Sequence, residues 1–122
     1  ERARLALDLL VRRDATRAPD AIRGLPVRGE AMRVDELALS RKPASAIFIA
    51  EPLRRTALAA VIQAGALRRI IVYSPFEGDV EQGVAGGLSI EAQVRPFVNA
   101  EALRNAQVTL RDFFLKAAKV LP

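Results

Sequence analysis

Ala44-Ser45-Ala46-Ile47-Phe48-Ile49-Ala50 and Arg69-Ile70-Ile71-Val72-Tyr73 bracket a segment in which Leu53, Ala57, Ala60, Val61 and Ala64 recur at helical spacing. This stretch decides the fold class. Each flanking run is short, apolar and rich in β-branched residues, the pattern of a strand buried on both faces. Pro52 can occupy the first turn of the intervening helix, where its missing N–H costs nothing, and Gly65 is a natural stop. Strand, helix, strand over about thirty residues is a βαβ unit, so the sheet is at least partly parallel.

Upstream, Leu5, Leu7, Leu9 and Val11 alternate as in a strand, although the Leu and Ala of this segment also favour helix. Pro19 to Ile22 reads as a short helix opened by its proline, and Gly24, Pro26 and Gly29 then break the chain. Glu30-Ala31-Met32-Arg33-Val34 reads as a second strand.

Downstream, Ser74 to Gly83 is a polar loop with room for one helical turn around Val80. Gly87-Leu88-Ser89-Ile90-Glu91 and Val94-Arg95-Pro96-Phe97-Val98, separated by Ala92-Gln93, predict a hairpin, with Pro96 confining its strand to a sheet edge. Asn99 is placed to cap a short helix through Ala106, and Thr109 a longer one from Leu110 to Leu121. The expected architecture is α/β: a single-domain, Rossmann-like sandwich over residues 1–122, with a mostly parallel sheet and a C-terminal hairpin plus helix.

Composition narrows the chemistry. The 122 residues are 51% apolar, enough for a real core, but only 5% aromatic, with no Trp. The net charge of +5 comes from arginine pairs such as Arg12-Arg13, Arg54-Arg55 and Arg68-Arg69, interspersed with acids. A nucleic-acid surface concentrates its positive charge on one face, so no nucleic-acid partner is expected. No stretch reaches the roughly 18 to 20 apolar residues of a membrane span, so no direct membrane insertion is expected either. The start at Glu1 reads as a mature or trimmed chain.

The sequence holds neither His nor Cys. Serine and cysteine triads in their usual form, thiolate metal ligands and disulfides are therefore absent. No metal or cofactor is expected, and the reading is non-enzymatic. Glu77, Asp79 and Glu81 alternate in one loop, but they do not follow the twelve-residue calcium spacing and read as solvated. Gly83-Val84-Ala85-Gly86-Gly87 lacks the Lys and Ser/Thr of a phosphate loop and precedes a strand, so its glycines serve the backbone.

Two sets of candidate residues remain. Ligands of open parallel sheets settle outside the carboxyl ends of the strands, which selects Glu51, Pro52, Ser74, Phe76 and Glu77. On the terminal helix, Phe113 and Phe114 point about 100° apart, too wide for one buried stripe. Phe113, Phe114 and Val120 are therefore the candidate partner or dimer interface.

From Lys42 onward, several segments resemble the YfiR-like family of bacterial periplasmic proteins. They are Ala46-Ile47-Phe48-Ile49-Ala50, the strand ending in Ser74, Gly86-Gly87-Leu88, Val94-Arg95-Pro96-Phe97-Val98-Asn99, and the terminal Leu115, Ala117, Ala118 and Val120. Upstream, Pro26-Val27-Arg28-Gly29-Glu30 with Arg33-Val34 is similar to the family's turn into a strand. The resemblance implies an exported, periplasmic, non-enzymatic regulator that dimerises and binds a membrane-anchored signalling protein, a diguanylate cyclase in the family's case. The family's cysteines are missing here, so disulfide-based control is not implied. The same architecture also resembles one lobe of the substrate-binding proteins of ABC importers, which implies a small-ligand site instead.

Overall fold

Ile47 and Val72 point to the same side of neighbouring strands, and that pairing anchors the sheet. In the computed structural model, which describes residues 28–41 and 43–122 and the backbone of 21–22 and 25–26, β3 (Ala46–Phe48) lies parallel to β4 (Ile71–Tyr73). Ahead of them, β1 (Ala21–Ile22) and β2 (Leu25–Pro26) form a separate antiparallel pair. Ala21–Ile22 is thus extended where the sequence reading places the end of a short helix. Pro26, which carries no N–H for a helix, lies in the partner strand. The expected strand over Leu5 to Val11 lies outside the described residues.

Val34–Pro122 forms one compact unit. It opens with α1 (Val34–Leu39), not with the strand expected over residues 30–34. Val34 and Leu37, three residues apart, share a helix face and pack against the core, while Asp35 and Glu36 favour the positive end of the helix. The Arg68 guanidinium donates to the carbonyls of Leu37 and Ser40, so α1 ends on a cation from the next helix.

That helix, α2 (Arg55–Arg68), joins β3 to β4 and completes the βαβ unit. Pro52 lies ahead of it, outside the first turn. Gly65 does not stop it. Its Cα packs on β4 so closely that a Cβ would stand 2.6 Å from Val72 Cγ2 and 3.1 Å from the Ile70 carbonyl oxygen. The stop falls instead on Arg69, at φ 56° and ψ 47°. Its N–H reaches the Ala66 carbonyl at 3.3 Å, and the Ile70 N–H reaches that of Gly65 at 2.8 Å. This is a Schellman ending with arginine in the position glycine usually takes.

The polar loop contains α3 (Asp79–Gln82), the single turn expected around Val80. Gly83 then takes φ 122° and the chain enters the hairpin of β5 (Gly86–Ile90) and β6 (Val94–Asn99). Asn99 caps α4 (Ala100–Asn105), its side chain accepting from the Ala102 N–H at 3.0 Å. The terminal helix is shorter than expected. α5 spans only Asp112–Ala117, behind Arg111 and not Thr109, and Lys119–Leu121 becomes strand β7. The open backbone of β6 offers these last residues hydrogen-bond partners that continued helix would not, and β-branched Val120 suits the extended form.

The five-stranded sheet runs β3-β4-β5-β6-β7 with only the β5–β6 pairing antiparallel, a mostly parallel α/β arrangement. The hairpin is therefore interior, and β7 takes the edge expected for it. Pro96 is tolerated because β7 pairs only with Phe97 to Asn99, leaving the proline nitrogen beyond its reach. β4 and β5 meet at a single pair, Tyr73 with Gly86, so the sheet narrows to a waist there.

Two core clusters lie on opposite faces. Ile49, Leu58, Val61, Val72 and Val84 pack under α2, while Ala85, Val98, Leu103 and Ala118 pack with Phe114 and Leu115 of α5. β3 is buried on one face only: Ile47 turns into the first cluster, while Ala46 and Phe48 are exposed.

Candidate functional site

Strand alternation sorts the sheet into two chemically different faces. Registered partners share a face, so Phe48 and Tyr73, Leu88 and Pro96, Ile90 and Val94, and Val98 and Val120 all project to the same side. Every strand position on that side is uncharged. The second core cluster covers Ile71 and Val98 on this side, and around it Phe48 is 70% exposed, Leu88 40%, Ile90 74%, Val94 65% and Val120 43%. Phe48 is held by Tyr73, whose ring centroid is 5.3 Å away.

The opposite face of the same hairpin carries the charge. Ser89 and Arg95 are registered partners there, as are Phe97 and Lys119. Lys119 Nζ sits 5.0 Å over the Phe97 ring and 2.7 Å from Glu91 Oε1, which also accepts from the Ser89 hydroxyl at 3.4 Å. The hydrogen bond from Lys119, and then its charge, hold the Glu91 carboxyl below its usual range, while burial works weakly the other way.

At the waist, polar side chains act as ties. Ser74 is fully buried; its hydroxyl donates to Asp79 Oδ2 at 2.5 Å and accepts from the Phe76 N–H at 3.2 Å. Its own N–H donates to the Gly86 carbonyl at 2.9 Å. Asn99, also buried, donates from Nδ2 to the Val80 carbonyl at 3.0 Å while its oxygen caps α4. Gly87 is a requirement of this packing, because a Cβ would lie 2.6 Å from the Ser74 carbonyl oxygen and 2.8 Å from Val80 Cγ2.

The residues selected at the strand ends divide accordingly. Ser74 is committed to Asp79, and Phe76 is half-buried against the first core cluster. Glu51, Pro52 and Glu77 are exposed, and no hydrogen bond or ion pair brings Glu51 and Glu77 together. On α5, Phe114 is half-buried in the second cluster and Phe113 is 69% exposed. Val120 lies on an edge strand beside buried Val98 and is partly exposed.

A shallow groove of about 260 Å³ runs between α2 and α4, with Ile62, Ala66 and Ala102 along its walls and Glu81, Glu101 and Asn105 at its rim. None of the selected residues lines it. Among the described residues, no three acidic groups converge in a way that could hold a metal ion, and no helix is long and apolar enough to cross a membrane.

Sequence reading missed Leu88, Ile90 and Val94 as surface residues, although the signal was present. Leu88-Ser89-Ile90-Glu91 and Val94-Arg95 alternate apolar with polar, but alternation leaves open which face is covered. No family model matches the sequence, and no curated protein matches it either.

Proposed function

We propose that this chain is a non-enzymatic regulatory domain that works by docking to another protein, in the manner of the periplasmic YfiR-like regulators it resembles. One observation carries the reading: an apolar sheet face without a charged position, on which Ile90, Val94 and Phe48 stand open to solvent. Burying a side chain of this size is worth about 1.5–3 kcal/mol. Leu88, Ile90 and Val94 are neighbours on the β5–β6 hairpin, and a cluster of exposed apolar side chains marks an interaction site. The polar residues nearest the strand ends do not compete as a reactive centre, since Ser74, Asp79 and Asn99 are engaged in holding the sheet's waist together. In this reading the protein is exported, and its partner is the extracytoplasmic part of a membrane-anchored signalling protein.

The test is a calorimetric titration against the extracytoplasmic domains of membrane-anchored signalling proteins encoded beside this chain. A saturable complex that Ile90→Asp abolishes, with the variant's circular dichroism unchanged, is the expected result. Absence of binding to every such domain refutes the reading.

A further inference from the structure

We infer that the groove between α2 and α4 is a binding site for a small amphipathic amine, a primary ammonium group carried on a compact apolar body. Phe48, Ile90 and Val94 do not line it, so the inference is independent of the docking reading above.

The groove exists because small side chains meet where the sheet narrows. β4 and β5 share a single registered pair at that waist. Ile62, Ala66 and Val72 line the groove from α2 and β4, and Gly83, Ala85 and Ala102 line it from the segments that follow. Alanine and glycine on the second side leave about 260 Å³ unfilled. Gly83 is held by its backbone, at φ 122°, and a Cβ there would already stand 3.5 Å from Ile62 Cγ2. Sites for drug-sized ligands run to roughly 300–1,000 Å³, so the occupant of this groove is a smaller molecule.

The polar rim selects a cation. The chain carries 19 Lys and Arg against 14 Asp and Glu, yet the groove is lined by two carboxylates, Glu81 of α3 and Glu101 of α4, and by no basic residue. Neither carboxylate takes part in an ion pair or side-chain hydrogen bond among the described residues. Asn99 also lines the groove, but its amide is committed to Ala102 and the Val80 carbonyl. Gln82 and Asn105 are exposed and uncharged, and their amide oxygens are further acceptors. An ammonium group has three donors and no acceptor, which this rim matches, whereas an anion would meet like charge.

The apolar walls distinguish an amine from a bare metal cation. Ile62, Ala66 and Ala102 offer a surface for hydrocarbon and no oxygen ligands, and among the described residues no three acidic groups converge to hold a metal ion. Both carboxylates also lie in the first turn of their helices, where they favour the positive helix end. Their contribution to stability is therefore no measure of the site, and the readout has to be binding.

The experiment is isothermal titration calorimetry of the full chain at neutral pH with butylamine, cyclohexylamine and cyclohexylmethylamine, each beside the alcohol and the carboxylate of the same skeleton. Wild type, Glu81→Gln, Glu101→Gln and Ala66→Leu are compared, with circular dichroism to check each fold. Ala66 is exposed on α2, so leucine there fills the groove without entering the core. At least one amine is expected to bind saturably and about tenfold more tightly than its alcohol, with no binding of the carboxylate. Each glutamine should weaken the amine about threefold, and high salt should weaken it too. Ala66→Leu should abolish binding, and amide chemical shifts of the wild type should move at Gly83 and Ala102. The inference is overturned if none of the three amines binds, if they bind no better than their alcohols, or if their affinity survives Ala66→Leu. Nα-acetyl-lysinamide presents the same ammonium on a peptide: tighter binding of it than of every free amine would make the occupant a partner's lysine, and the small-molecule site would fall.

Discussion

The Ser74 hydroxyl donates to Asp79 Oδ2 at 2.5 Å, across the loop that links β4 to α3. The bond closes the six residues from Ser74 to Asp79 into a tight turn beside the Tyr73–Gly86 pair that joins β4 to β5. Hydrogen bonds to charged groups are worth about 1.5–3 kcal/mol. Ser74→Ala is therefore expected to lower stability by about 2 kcal/mol in urea unfolding. Asp79→Asn keeps an acceptor oxygen and should cost less. A double-mutant cycle that returns no coupling between the two positions would contradict this account.

Asn99 performs two tasks with one side chain, capping α4 and holding the Val80 carbonyl. Asn99→Ala should cost about 2 kcal/mol, the sum of a lost cap and a lost buried hydrogen bond. Asn99→Asp keeps the capping oxygen but sets a second oxygen against the Val80 carbonyl, so it is expected not to restore stability. Thermal unfolding of both variants measures the difference.

Arg69 holds a left-handed conformation at φ 56° to end α2. A side chain there costs about 1 kcal/mol that glycine avoids. Arg69→Gly is expected to raise the urea midpoint, with the slope of the transition unchanged. An unchanged or lowered midpoint would show that the arginine side chain repays its backbone strain.

Phe113 and Phe114 are neighbours with opposite roles. Phe114 packs in the second core cluster, so Phe114→Ala should cost about 3 kcal/mol. Phe113 is exposed, and Phe113→Ala should stay within about 0.5 kcal/mol. Equal effects in calorimetry would mean that α5 is rotated from the orientation described.

Glu91 and Lys119 give the hairpin a pH dependence. Lys119 depresses the Glu91 carboxyl, first by its hydrogen bond and then by its charge. A carboxyl with a lowered folded-state pKa contributes stability above the ordinary carboxylate range and loses it as pH falls through the folded value. Both groups are exposed, so solvent and salt screen the effect. Melting curves across the acid range should show a small loss that Lys119→Met removes, and high salt should shrink it.

Much of the architecture is legible in the sequence. The two β-branched runs and the helical spacing between them specify β3, α2 and β4, because periodicity is a local property of the chain. The same holds for the hairpin, for the single turn around Val80 and for Asn99 as a cap, since turn and cap chemistry acts over three or four residues. Gly65 misled for a different reason: it looks like a stop, but the contact that demands it is with Val72, on another element.

Sequence by itself determined the α/β class, the parallel pairing within the βαβ unit and the absence of histidine and cysteine chemistry. Tertiary structure alone decided that residues 119–121 leave the helix for the edge of β6, because an unpaired strand edge outweighs the weak helical preference of three residues. It also decided the fate of the candidate residues, committing Ser74 to Asp79 and leaving Glu51 and Glu77 apart in solvent. Above all, it decided that Ile90 and Val94 stay open. Alternation fixes which side chains share a face, but only the packing of distant elements determines which face is covered.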